Sequence, residues 1–106
     1  MRRLLLALAV IVAPLSADAG YYQTGNDLLE ACRNSIYGMC LGYAAGIADA
    51  AAFTPASNVC IPDAVILNQV RDVIVDYLNA HPEIRHEPAY FLATKALSMA
   101  WPCRSN

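Results

Sequence analysis

Four cysteines spread along a short chain are the feature that most restricts how this sequence can fold. The chain has 106 residues, and the cysteines are Cys32, Cys40, Cys60 and Cys103. A chain of this length builds one small hydrophobic core, which is only marginally stable without a cross-link. An even number of cysteines favours disulfides if the chain is exported. Zinc is the alternative, but no two cysteines have the close spacing of a zinc knuckle, and both histidines lie elsewhere.

The N-terminus indicates export. Two arginines follow the initial methionine, residues 4–15 are apolar and uncharged, and Ala17-Asp18-Ala19 has the small-x-small form that signal peptidase accepts. We therefore predict a signal peptide over residues 1–19 and one domain over residues 20–106.

A retained membrane anchor is the competing interpretation of the N-terminus. The apolar stretch would rise only about 18 Å as a helix, short of the ~30 Å hydrocarbon core, and Pro14 would interrupt its last turn. The second apolar run, residues 40–53, is also too short and contains Asp49. The sequence thus favours a cleaved signal peptide and a domain that has no membrane contact afterwards.

The charge of the exported domain argues against two classes of partner. The whole chain has seven Lys and Arg against nine Asp and Glu. Loss of Arg2, Arg3 and Asp18 with the signal peptide leaves five against eight, a net charge of −3. Nucleic acid and anionic lipid are therefore not expected as partners.

Beyond residue 26 the sequence pattern predicts an all-α fold. Asn26 and Asp27 are typical N-cap residues, Pro62 suits the first turn of a helix, and His81 is pushed out of helical geometry by the proline after it. We expect a small orthogonal or antiparallel bundle of about four helices, stapled by two disulfides. The predicted helices cover about 27–34, 40–53, 62–80 and 88–101.

Two of these helices have a clear apolar stripe, and a third is apolar on most sides. The second helix carries one charge, so we expect it to be the central and most buried element. The stripes of the third and fourth helices predict the core. They consist of Ile66, Val70, Val73, Ile74 and Tyr77, and of Ala89, Leu92, Ala93, Ala96, Leu97 and Ala100.

Spacing alone leaves all three cysteine pairings open, but the helices rank them. Cys60 precedes the third helix and Cys103 follows the fourth, so an antiparallel hairpin places both at one end. That bond would contribute on the order of 4 kcal/mol in the chain-entropy model. Cys32 and Cys40 remain, and in one unbroken helix they would be about 12 Å apart, too far to bridge. Their pairing therefore requires a turn near Gly38.

The second helix contains a pair of glycines and the single charge. Gly42 and Gly46 lie on one side of the helix and would let another backbone approach closely; a ligand cleft floored by glycine is the weaker alternative. Asp49, if buried, needs a hydrogen bond or an ion pair. It has either a structural role or a role in contacting a partner.

The connection between the third and fourth helices concentrates polar residues. It contains His81, Glu83, Arg85 and His86. The separation of the histidines across a proline is not a typical ligand spacing, so we predict no metal site. A solvated turn with capping roles is the simplest interpretation, and a recognition loop or a pH-sensitive contact is the alternative.

Catalytic motifs are lacking. The sequence has no Ser-x-x-Lys pattern, no Gly-x-Ser-x-Gly elbow and no pair of carboxylates with an obvious cleft. Disulfide formation would consume all four thiols and leave no cysteine nucleophile. We therefore expect a binding module that is not an enzyme and needs no cofactor.

A series of short motifs, in order along almost the whole exported domain, resembles the Rap/Tai family of immunity proteins. Trp101 departs slightly, since a phenylalanine is commoner there. The matching residues are Thr24-Gly25-Asn26-Asp27-Leu28-Leu29, Cys32, Cys40-Leu41-Gly42-Tyr43, Gly46, Asp49, Cys60-Ile61-Pro62, Gln69, Tyr77-Leu78, His81-Pro82-Glu83, Ala96-Leu97 and Pro102-Cys103.

The resemblance implies a periplasmic helical protein that binds and blocks a peptidoglycan amidase delivered by a type VI secretion system, and that forms a homodimer. Residues 54–59 and 81–87 are then candidate contact loops. The residues predicted to bind the partner are Asp49, His81, Glu83, Arg85 and His86. A periplasmic acid-stress chaperone, or an envelope protein of the same fold with an unrelated role, is the alternative.

Overall fold

The protein is a bundle of four α-helices in a computed structural model that describes residues 9–10, 22–34 and 37–104. The predicted signal peptide over 1–19 lies almost wholly outside these residues. The helices are α1 (Gly25–Arg33), α2 (Tyr37–Ala52), α3 (Leu67–Ala80) and α4 (Ala89–Ala100), with single 3-10 turns at Pro55–Ser57 and Pro82–Ile84. The described residues form no strand beyond two isolated bridges. The predicted all-α class is confirmed.

Both predicted disulfides are present. Cys32 is bonded to Cys40 and Cys60 to Cys103, with Cα atoms 4.9 Å apart in each pair. The turn between the first pair is not at Gly38, which lies in the first turn of α2. The chain leaves α1 at its C-cap residue Asn34, where the backbone becomes extended.

Helix α3 begins five residues later than predicted because Pro62 starts a separate turn. The carbonyl of Pro62 accepts a hydrogen bond from the amide of Val65 at 3.0 Å. The helix follows at Leu67, and the side chain of Gln69 accepts from the amide of Ile66 at 2.8 Å. Ile66, predicted to be in the core stripe, is 61% exposed.

Among the described residues, α4 contributes more buried side chains than any other helix. The prediction that α2 would be the most buried element is wrong. Five side chains of α4 are at most 2% exposed, whereas residues 38–52 of α2 include only three buried ones. An alanine side chain is small and gains little free energy from burial, so an alanine-rich helix can lie at the edge of a bundle. The buried residues of α4 are Ala89, Leu92, Ala93, Ala96 and Leu97; the predicted Ala100 is exposed.

The N-terminus of α1 is fixed to the connection between α3 and α4. The amides of Gly25 and Asn26 donate to the carbonyls of Glu87 and Arg85 at 2.9 and 2.8 Å. A Cβ atom on Gly25 would lie 2.6 Å from Leu92 Cδ1 and 3.0 Å from the Arg85 carbonyl oxygen. Only glycine allows this approach, which holds residues 85–87 against α1.

Candidate functional site

The predicted contact residue Asp49 is exposed on α2. It makes no hydrogen bond or ion pair with any described residue. Because Asp49 is not buried, it does not need the hydrogen bond or ion pair that burial would have required, and partner contact stays a prediction.

The two glycines of α2 were expected to lie against another backbone. The structure shows that they do not. Gly42 and Gly46 are exposed, and a Cβ atom at either would meet nothing within 4 Å. This face of α2 is open to solvent, and no cleft wall stands over it among the described residues.

The two histidines of the interhelical connection have different surroundings. His81 is the C-cap of α3; its Nδ1 lies 2.8 Å from the carbonyl oxygen of Tyr77, and its ring stacks on that tyrosine with centroids 4.2 Å apart. Glu83 and His86 are exposed. The capping role is confirmed for His81, and a role in recognition stays a prediction for all three.

An apolar groove lies between α2, α4 and the turn at Pro55–Ser57. Its volume is about 360 Å³, and no charged side chain lines it. Tyr90 and Phe91 of α4 are each 49% exposed on its wall. The complete lining is Ile47, Ala50, Ala51, Thr54, Ser57, Tyr90, Phe91 and Thr94.

Three of the four hydroxyl side chains in the apolar groove are already hydrogen-bonded to the backbone. Thr54 donates to the Ala50 carbonyl at 2.9 Å, Ser57 to the Ala51 carbonyl at 2.9 Å, and Thr94 to the Tyr90 carbonyl at 2.7 Å. A hydroxyl has a single proton to donate, so these three groups have none left for a ligand. The groove therefore offers apolar area, a few acceptor lone pairs and the phenol of Tyr90.

Tyr43 lies beside the apolar groove, next to Tyr90. Burial raises the pKa of its phenol above the usual 10.0; the neighbouring phenol of Tyr90 adds to the increase, and a hydrogen bond from the Tyr90 backbone opposes it. The main cause is partial burial of the phenol at the junction between α2 and α4.

A second depression, the arginine pocket, lies between α1 and the Arg85 connection. It has a volume of about 350 Å³ and is lined mainly by polar atoms. The guanidinium Nε of Arg85 is buried and has no hydrogen-bond acceptor, and the side chain makes no ion pair with a described residue. Leaving such a donor unpaired costs about 1–3 kcal/mol. The lining is Asn26, Leu29, Glu30, Arg33, Asn34 and Arg85.

Sequence reasoning identified one residue of the arginine pocket and, through loop 54–59, one edge of the apolar groove. It missed Arg33, Tyr90 and Phe91. The signal that could have revealed the groove was the pair of aromatic residues at 90 and 91. Positions 89, 92 and 93 form the buried face of this helix, so these two aromatic side chains cannot both lie on it.

The described residues contain no group of three side chains suited to hold a metal ion. None of the helices in the described part of the chain has the length and apolar character that crossing a membrane requires.

Comparison with known proteins gives one match. Residues 24–103 match the model of the Rap1a immunity proteins, which is well over half of the chain and includes all four helices and both disulfides. The chain belongs to the Rap1a immunity family. No curated protein and no solved structure matches the chain. Membership implies an effector protein as the partner of this Rap1a member, and the family is generally not enzymatic.

Proposed function

We propose that this Rap1a protein acts in the periplasm, where it binds and inhibits a peptidoglycan amidase effector delivered by a type VI secretion system. The family match over residues 24–103 carries the proposal. The N-terminal pattern of two arginines, an apolar stretch and Ala17-Asp18-Ala19 supports export to the compartment where such an amidase attacks the cell wall. Two disulfides fit an oxidising compartment.

The apolar groove is the proposed docking surface for the effector. Protein interfaces obtain most of their affinity from a few aromatic or apolar anchors in a water-free centre. Half-exposed Tyr90 and Phe91 and the uncharged lining give the groove this character. Its occupant is an apolar side chain on the rim of the amidase cleft, and the bound immunity protein then blocks the substrate sterically. Inhibition of this kind needs no cofactor and no catalytic group.

A homodimer is part of the same proposal. The exposed face of α2 around Gly42 and Gly46 would allow a helix of a second copy to lie close, because nothing covers these two positions. Light scattering on the purified protein tests this. Gly42→Leu is expected to shift a dimer to the monomer, and an unchanged mass would place the dimer contact elsewhere.

The experiment uses the chain expressed with its own N-terminus and purified from the periplasm of a bacterial host. It is mixed with a peptidoglycan amidase encoded beside its gene. We expect co-purification, loss of amidase activity at equimolar ratio, and a protein that begins at Gly20. Binding to a neighbouring effector that is not an amidase would refute the amidase assignment alone.

The same preparation separates the chaperone alternative. A chaperone would leave the amidase active and would suppress aggregation of many unfolded proteins at pH ~3, where carboxylates become protonated. That pair of results would refute the proposed function.

A further inference from the structure

We propose that the arginine pocket binds a carboxylate side chain of the effector. This inference rests on the proposed function for the source of the carboxylate, but the chemistry of the pocket is independent of it. The starting observation is the buried Nε of Arg85, a charged donor without an acceptor.

The location of Arg85 is fixed by the backbone. Its carbonyl accepts the amide of Asn26 and the carbonyl of Glu87 accepts the amide of Gly25, so two hydrogen bonds tie the connection to α1. The backbone that carries this guanidinium is therefore held beside the pocket by contacts that do not depend on a ligand, and burial at Nε restricts the side chain. A preorganised donor of this kind loses little conformational entropy when it binds an acceptor.

Arg33 supplies a second guanidinium on the opposite element. One of its terminal nitrogens donates to the side-chain oxygen of Asn79, which orients the group and leaves its other donors available. Asn26 and Asn34, whose side chains carry amide donors, are lining residues of the same pocket. The pocket is thus rich in donors, and a planar group with two acceptor oxygens matches the fork of an arginine.

Glu30 is the one acidic residue of the pocket lining, and it does not neutralise the arginines. It lines the pocket with both, yet no ion pair joins it to Arg33 or Arg85. Two arginines against one glutamate leave a local charge of +1 in a protein whose exported part is negative overall. A single carboxylate from a partner would balance this charge. Glu30 would repel it, so Glu30→Gln should tighten binding.

Carboxylates and phosphates both offer oxygen acceptors that fit a guanidinium. A titration with small molecules distinguishes between them. The probes are the α-amide of N-acetyl-glutamic acid, the corresponding glutamine compound, and inorganic phosphate. NMR follows the Nε–H resonance of Arg85 and, as an internal control, that of exposed Arg104. We expect saturable shifts at Arg85 with the glutamate compound alone. Equal responses at Arg85 and Arg104, or saturation by phosphate and not by the carboxylate, would overturn the inference.

The effector provides the second test. Arg85→Met keeps the aliphatic stem but removes the donors, and Arg104→Met is the matched control. We expect R85M to weaken binding of the amidase at least about tenfold, R104M to leave it unchanged, and E30Q to strengthen it about two- to threefold. The melting temperature of R85M should equal or exceed that of the wild type, because an unpaired buried donor is removed; a purely structural role would lower it.

The two tests distinguish the possible failures. If the wild type does not bind the amidase, the proposed function fails, and the NMR titration still decides whether the pocket takes a carboxylate. If the wild type binds and R85M binds equally well, the inference fails and the proposed function stands.

Discussion

The apolar groove and the arginine pocket differ in how their hydrogen-bond donors are used. In the groove the hydroxyls of Thr54, Ser57 and Thr94 donate to backbone carbonyls four to six residues before them, so the surface offers mainly apolar area. In the pocket Arg85 has a buried donor without an acceptor. The groove can provide affinity, because binding there buries apolar area. The pocket can provide specificity, because it favours a partner with a matching acceptor. The two surfaces should therefore respond differently to substitution and to salt.

The largest effect is expected at the wall of the apolar groove. Phe91→Ser should weaken amidase binding by about 30-fold or more, because an anchor at the centre of an interface contributes roughly 2 kcal/mol or more. Titration calorimetry measures the affinity. The matched control is Phe53→Ser, since Phe53 is 90% exposed and does not line the groove. An equal loss of affinity in F91S and F53S would show that the groove is not the centre of the interface.

The next effect concerns the fixed backbone beside the arginine pocket. Gly25→Ala should lower the free energy of unfolding by about 1–3 kcal/mol, because the new methyl group overlaps Leu92. Gly42→Ala, at an exposed helical position with open space, should instead raise it by about 0.5–1 kcal/mol. Urea denaturation with intact disulfides measures both. A G25A protein as stable as the wild type would show that the connection is free to move.

A small effect is expected for the groove hydroxyls. Thr94→Val removes the proton donated to the Tyr90 carbonyl, which as a helical carbonyl also accepts a backbone amide. Stability should change by less than about 1 kcal/mol, and the affinity for the amidase by no more than about twofold. Denaturation and calorimetry check these values. A tenfold loss of affinity would mean that this hydroxyl bonds to the effector, contrary to the distinction between the two surfaces.

The smallest effect concerns alkaline pH. Because the folded protein raises the pKa of Tyr43, it holds the phenolic proton more tightly than the unfolded chain does. This contribution to stability is complete below pH 10 and is lost as the pH rises through the folded pKa. Stability should thus decrease more steeply above about pH 10 in the wild type than in Tyr43→Phe. Parallel pH profiles would indicate that the junction of α2 and α4 is well hydrated.

The sequence predicted the topology of the bundle because covalent and periodic signals act over short distances. The stripe at Val70, Ile74 and Tyr77 and the flanking cysteines were sufficient to place α3 and α4 as a stapled hairpin. Helix limits were harder to predict. Pro62 is equally compatible with a helix start and with the isolated turn that it forms, and the choice depends on whether the residues after it can be buried.

The candidate site was predicted only in part. Arg85 was identified from a concentration of polar residues, but its position beside α1 depends on the contact between Gly25 and the 85–87 connection, which lie some sixty residues apart in the sequence. The shape of the apolar groove depends on how α2 packs against α4. The single charge of α2 suggested burial, and only the packing shows that much of this helix is at the surface.

The most direct test of the central claim is amide hydrogen exchange on this Rap1a protein with and without the amidase. We predict slower exchange on binding in residues 47–57 and 90–94, which form the apolar groove, with a weaker effect in residues 26–34 and 85–87. Residues 68–72 of α3, which line neither surface, should not change. Protection confined to α3, with the groove segments unchanged, would contradict the account.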